Sequence, residues 1–562
     1  MTNALAENRY LSVGLAALTG FWLATASAPS AASPDAACAE LAKLSVPASS
    51  IQLPTGGARV TSAVQMAASS QPPRTVGSFC RVMAEIASAN TGQPIKMELN
   101  LPDDWNGKAL MYGGGGYNGS ILSTGGTIRL QPADVTIPLG RGYATFASNS
   151  GHEGSSTDGS FATNDEALGN YALDAVKKTR DTAVYLIHAR YGRAADKLYF
   201  HGSSNGGKEA LGMIQRYPAD LDGAIVFWPA TQFGMASLQF GRISRALAQP
   251  GAALSISKRQ ALLSAAVQAC DATDGAKDGV ISDVRGCHDR FDPATAVIDG
   301  KPLRCPTGTD EGDGCLSDQQ IAALKVMATP IKLGFATESG ESSYPGFYVW
   351  STDLGTKSSD DLSKLVTSQG LGTAAPAVPT TPNMPFLHVF SDQFVRFFVT
   401  RNKEARWTDI DPEKPGEWQA RLAYLAGLLD MPKTDLSGFS ARGGKIIIVH
   451  GLSDQIVPPK ATEEYYERVV AKMGAETVKT FLKFYEVPGT AHSGVGTAFT
   501  PTWDVLGALD RWAAEGKAPV DAVVTDTYAV PGRTRPLCEY PAWPKYRGTG
   551  DVNSATSFVC AN

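Results

Sequence analysis

The 562-residue chain is most easily placed by what it is short of. It has no strong excess of charge: 50 Lys and Arg stand against 55 Asp and Glu, a net −5. Without clustered cations there is nothing to match nucleic-acid phosphates, so no nucleic-acid partner is expected. None of its eight cysteines forms a C-x-x-C pair, which removes the usual spacing of a zinc site. It has one long apolar run, the sixteen residues 11–26. That is too short to span a bilayer comfortably, and it ends in small residues around Ala24–Ala26 and Ser30–Ala32. The pattern predicts a signal peptide over 1–32, hence a secreted or periplasmic protein, with no membrane partner. Histidine is scarce too, at 152, 188, 201, 288, 388, 450 and 492, so any imidazole base comes from seven positions.

What is present starts with Lys197-Leu-Tyr-Phe-His-Gly-Ser-Ser-Asn-Gly-Gly-Lys208. A strand-type apolar run stops at small residues, and a helix-type segment follows until Pro218. Within it, Gly202-Ser203-Ser204-Asn205-Gly206 has the G-x-S-x-G form of a nucleophile elbow, a sharp strand-to-helix turn that presents a serine hydroxyl. The turn needs small residues two before and two after the nucleophile, where backbones pass closely. Gly202 and Gly206 satisfy this for Ser204; His201 and Asn205 do not for Ser203.

A serine nucleophile needs a base, and the base an orienting carboxylate. With this elbow they follow in the order Ser, Asp, His. Lys445-Ile-Ile-Ile-Val-His450 is a buried strand leading to Asp454. The strand pattern 480–487 leads to His492. Both residues fall past the carboxyl ends of strands, where open α/β sheets gather their catalytic groups. The expected triad is Ser204, His492 as base and Asp454 as orienter; His450 is the alternative base, but its place at the end of a strand run fits a packed or hydrogen-bonded residue better. Upstream, a strand runs into Gly113–Gly116. One N–H of Gly115 or Gly116, with that of Asn205, would form the oxyanion hole. The cluster lacks the Lys-Ser/Thr of a phosphate loop.

The chain is too long for one core. About 250 residues separate the elbow from Asp454, more than a few strand–helix units require. An inserted lid is therefore expected over 231–429, between core halves 33–230 and 430–562. Inside it, Cys270-Asp-Ala-Thr-Asp-Gly-Ala-Lys-Asp-Gly-Val280 places Asp271, Asp274 and Asp278 within eight residues. Together with the carbonyls of Ala276 and Val280 these make a hard-oxygen donor set suited to Ca2+. Phe390, Phe394, Arg396, Phe397 and Phe398 cluster in the lid, and Arg396 with Phe397 are candidate substrate contacts. An even cysteine count in an exported protein suggests disulfides.

The motifs Gly113–Gly119, Gly202–Gly207, Cys270–Val280, His450–Asp454 and Val487–His492 together resemble the tannase and feruloyl esterase family over nearly the whole mature chain. The resemblance implies an α/β-hydrolase core with a lid holding structural Ca2+, and a Ser-His-Asp esterase. Its small-molecule substrates would be esters of aromatic acids such as gallate, ferulate or terephthalate half-esters. It also implies the disulfides Cys38–Cys80, Cys270–Cys287, Cys305–Cys315 and Cys538–Cys560. Family members usually bridge a cysteine before the nucleophile to one after the base; Ser203 and Ser493 occupy those positions here, which suggests a divergent member lacking that crosslink. Aliphatic esters, lactones or amides, or a non-catalytic binding role, stay open as other uses of the scaffold.

Overall fold

The structure, a computed structural model, describes residues 34–71, 74–356 and 370–562; the expected signal peptide over 1–32 lies outside them. Ten strands form one sheet: β1 (Ser45–Val46), β2 (Ala58–Met66), β3 (Phe79–Ile86), β4 (Ile95–Pro102), β5 (Lys108–Tyr112), β6 (Ala144–Ser148), β7 (Lys197–Ser203), β8 (Gly223–Phe227), β9 (Lys445–Gly451) and β10 (Leu482–Val487). Their spatial order is β1-β2-β3-β4-β6-β5-β7-β8-β9-β10. Strands β1 to β4 pair antiparallel, and from β6 to β10 every neighbour is parallel. With this sheet and its flanking helices the chain has the α/β-hydrolase fold.

The parallel half follows from side-chain alternation. Its strands are apolar throughout because both faces are covered. Phe200, Ala224, Val226, Ile446 and Ile448 point to one face. There they meet helix α1 (Ala175–Tyr191) and α2 (Asn205–Arg216), through Leu186, Met213 and Ile214. Their neighbours Tyr199, Ile225, Phe227, Ile447 and Val449 point to the other face. Those pack on Val505, Leu509 and Trp512 of helix α5 (Val505–Glu515). A period of two thus feeds two cores from one set of strands.

Between β8 and β9, none of the described residues joins the ten-stranded sheet. Helices α3 (Phe233–Leu247) and α4 (Phe386–Gln393) of this stretch share a third apolar core with the loop residue Tyr117. All eight cysteines pair, as Cys38–Cys80, Cys270–Cys287, Cys305–Cys315 and Cys538–Cys560. Four disulfides close the chain, so it is not short of crosslinks, although with serine at 203 and 493 none of the four joins the elbow to the histidine loop. Among the described residues, no helix is long and apolar enough to cross a membrane.

Candidate active site

At the end of β7 the backbone turns sharply into α2 at Ser204, which adopts φ 60° and ψ −122°. A serine held at positive φ is strained, and the surroundings must impose it. They do: Ser204 N–H donates to the Phe227 carbonyl at 3.0 Å, and its own carbonyl accepts from Ala230 N–H at 3.1 Å. A Cβ at Gly206 would lie 2.6 Å from the Gly114 carbonyl, and one at Gly202 would strike the Gly206 carbonyl. Only glycine permits this approach of elbow and loop.

Asp454 follows β9 and is fully buried. Its Oδ1 accepts from the N–H groups of Ile456 (2.8 Å) and Val457 (2.9 Å). Its Oδ2 lies 2.7 Å from Nδ1 of His492 and 3.3 Å from Nε2 of His450. Burial would raise this carboxyl, but the His492 charge and the bonds from both imidazoles outweigh it and hold the group well below the usual carboxylate range. Nε2 of His450 also lies 3.1 Å from the Val457 carbonyl, and its Nδ1 2.9 Å from Thr462 Oγ1. Both ring nitrogens are thus engaged in packing, so His450 braces Asp454 from behind. His492 is buried at the start of a short turn, with the Trp228 ring 5.8 Å from its own.

The glycine loop after β5 runs alongside the elbow. Gly113 N–H donates to the His201 carbonyl, and Gly114 N–H to Glu209 Oε2, each at 2.9 Å. Gly115 and Gly116 face the cavity. Asn205 is the first residue of α2, so its N–H has no acceptor within the helix. Glu209, one turn on, accepts from Asn205 Nδ2 (3.0 Å) and Asn118 Nδ2 (2.8 Å), so one buried carboxylate ties loop to elbow. Sequence reasoning passed over Glu209; its signal was the i, i+4 spacing from Asn205 on one helix face.

A cavity of about 550 Å³ opens over these groups. Ser204, Asn205, Gly115, Gly116 and His492 line it from the core, with Ser203, Ser493 and Arg129. Phe233, Phe240, Phe386 and Phe390 line it from the inserted stretch. Arg396 and Phe397 are not in this wall. The Arg396 guanidinium instead donates to the Lys403 carbonyl and reaches Asp392 at 3.4 Å, and its own charge sits over the Phe397 ring. Expected as substrate contacts, Arg396 and Phe397 instead make local contacts on their own segment.

The acidic segment is closed by Cys270–Cys287 and packs on the C-terminal strands. Asp271 accepts from Gly279 N–H at 3.1 Å, Asp274 from Ala276 at 2.9 Å and Ser282 at 3.2 Å, and Asp278 from Val280 at 2.9 Å. Asp278 is also ion-paired to Arg535. Burial raises Asp271 and pushes Asp274 up to about 6. Among the described residues, no group of three or more His, Cys, Asp or Glu side chains is arranged to hold a metal ion.

A family model described as tannase and feruloyl esterase matches residues 80–561. An uncharacterized esterase of Agrobacterium fabrum is 37% identical over 536 residues, covering 93% of each chain. A mono(2-hydroxyethyl) terephthalate hydrolase of Piscinibacter sakaiensis is 31% identical over 535 residues, covering 86% of this chain and 84% of that one. Among solved structures, feruloyl esterase B of Aspergillus oryzae superposes with a TM-score of 0.72 at 22% identity, over 94% of this chain and all of that one.

Proposed function

Since the chain belongs to the tannase and feruloyl esterase family and is a carboxylic ester hydrolase, we propose that Ser204, His492 and Asp454 carry the reaction through an acyl-enzyme. His492 takes the Ser204 proton as the hydroxyl attacks the ester carbonyl. Asp454 holds the imidazole with its proton on Nδ1 and stabilises the charged form. The N–H groups of Asn205 and of Gly115 or Gly116 bind the oxyanion. His492 then protonates the departing alcohol and activates the water that releases the acid. The observation that carries this reading is the 2.7 Å contact from His492 Nδ1 to a buried, strongly acidic Asp454, in a cavity shared with Ser204. Its test is labelling by a fluorophosphonate: the wild type takes one label, and Ser204→Ala takes none and loses hydrolysis. Retained hydrolysis in Ser204→Ala would remove the mechanism.

The proposed substrates are small esters of aromatic acids. Four phenylalanines in the cavity wall support this, as do relatives named for feruloyl and terephthalate esters. Residues 231–429 would act as the lid that selects the acyl group and excludes water. Four disulfides suit the oxidising compartment that an exported enzyme meets.

We propose a structural Ca2+ in addition, on Asp271, Asp274, Asp278 and the carbonyls of Ala276 and Val280. Half-buried Asp271 and buried Asp274 support it: burial raises both, and the neighbouring Asp278 charge adds to the rise, although Arg535 already neutralises Asp278. The ion would brace the loop and take no part in chemistry. Chelation is expected to lower Tm by at least about 2 °C, restored by Ca2+ and not by Mg2+; an unchanged Tm would remove the ion from the account.

A further inference from the structure

The loop between β5 and β6 places a charge in the cavity that the mechanism leaves unused. Arg129 lines the same space as Ser204 and His492. Its main chain is anchored: its N–H donates to Nε2 of His201 at 3.2 Å. His201 lies in β7, three residues before the nucleophile. Burial and the Arg129 charge push His201 down to about 3, so this imidazole is neutral and a competent acceptor. The far end of Arg129 is much less engaged. Nη1 makes one long contact, 3.4 Å, to the carbonyl of Ser493. Arg129 is exposed, and no carboxylate among the described residues stands in an ion pair with it. A guanidinium offers five donors in a fixed fork and gains most from a carboxylate. One fixed at its base, open at its tip and turned into a reaction cavity is built to receive an anion.

Its position says which half of the ester brings that anion. Ser493 directly follows His492, so Arg129 stands on the histidine side of the cavity. His492 must hand its proton to the departing alcohol oxygen, so the alcohol half lies on that side. The acyl ring then lies toward Phe233, Phe240, Phe386 and Phe390.

We infer that Arg129 is a specificity residue that binds a carboxylate on the alcohol half of the ester, so that the preferred substrates are aromatic-acid esters of hydroxy acids. The inference rests on the Ser204–His492 mechanism above. In the acylation step the Ser204 Oγ–acyl bond forms and the bond to the alcohol oxygen breaks. The proton taken from Ser204 passes through His492 to that oxygen. The carboxylate stays ionised throughout and departs with its alcohol; water then releases the aromatic acid.

The test uses three esters of one cinnamic acid type: one to a hydroxy acid with a free carboxylate, one to the same alcohol with that carboxylate methylated, and a third in which a carboxylate sits on the acyl ring instead. The wild type is expected to favour the first over the second in kcat/KM by on the order of tenfold or more. In Arg129→Gln that ratio collapses toward one, mainly through KM, and Arg129→Lys restores part of it. A guanidinium that merely holds the Ser493 loop would lower both rates together and leave the ratio intact, which would overturn the inference. So would a larger loss on the ester with the acyl-ring carboxylate. Failure of the mechanism itself looks different: no ester is hydrolysed and the wild-type Ser204 takes no phosphonate label.

Discussion

On the core side of the cavity Asp454 and the glycine loop are fixed by hydrogen bonds, whereas on the inserted side the wall is made of rings held by packing. Asp454 is gripped by two main-chain N–H groups and two imidazoles, and Glu209 ties the glycine loop to the elbow. Opposite, the Phe390 ring stacks on Tyr117 at 4.1 Å, and Phe233 meets Tyr117 edge-on at 5.9 Å. Directional bonds fix angles and proton positions, which bond-making chemistry requires. Ring packing fixes shape and volume with little directional demand, which suits choosing among acyl groups. The two walls can therefore change independently: under the proposed function the core side sets whether an ester is cleaved and, through Arg129, reads its alcohol half, while the inserted side selects the acyl group.

That division can be broken at several points. The largest effect is expected at the core. Asp454→Asn keeps the shape but misplaces the imidazole proton, and should cut kcat by about 10⁴-fold with KM nearly unchanged. Steady-state kinetics on one aromatic ester check it, and a loss under tenfold would detach Asp454 from the reaction. The inserted wall should respond differently. Phe386 is half-buried and lies 5.4 Å from Phe390. Phe386→Ala should raise KM for aromatic acyl esters about tenfold and spare acetyl esters. Equal losses on both would mean that the inserted wall also positions the catalytic groups.

The smallest effect lies away from both walls. Glu166 accepts from Ser88 Oγ and from the N–H groups of Ala89, Asn90, Thr91 and Gly92, pinning the turn between β3 and β4. Burial opposes its ionisation, but these bonds prevail and bring its pKa down to about 2. A carboxyl depressed on folding stabilises above its unfolded pKa, here the ordinary 4.5. That contribution is lost as pH falls from about 4.5 toward 2. Thermal melts should show the wild type losing more stability than Glu166→Gln across that window. Parallel curves would show the turn is held by other means.

The residues legible in the sequence were those whose neighbours are local. Ser204 declared itself through glycines two positions either side, and Asp454 and His492 through the strands that end just before them. Arg129 and Glu209 were not legible, because their meaning depends on chains brought together from far apart: Arg129 with His201 and Ser493, Glu209 with Gly114 and Asn118. Arg396 misled for the converse reason. Aromatic residues around a cation suggested a binding surface, but the nearest partners, Asp392 and Lys403, lie on its own segment. The parallel strands were visible as apolar runs. The antiparallel strands β1 to β4 were harder to see, since β3 alternates buried with half-exposed or exposed positions along one covered face.

The central claim is that the Ser204 oxygen carries the acyl group between the two halves of the reaction. Acid quenching during turnover of a slow aromatic ester, followed by mass spectrometry of the peptide containing residue 204, tests it directly. The account predicts that this peptide gains the mass of the acyl group and that Ser204→Ala shows neither adduct nor turnover. An unmodified residue 204 with the acyl group found elsewhere, or turnover persisting in Ser204→Ala, would contradict it.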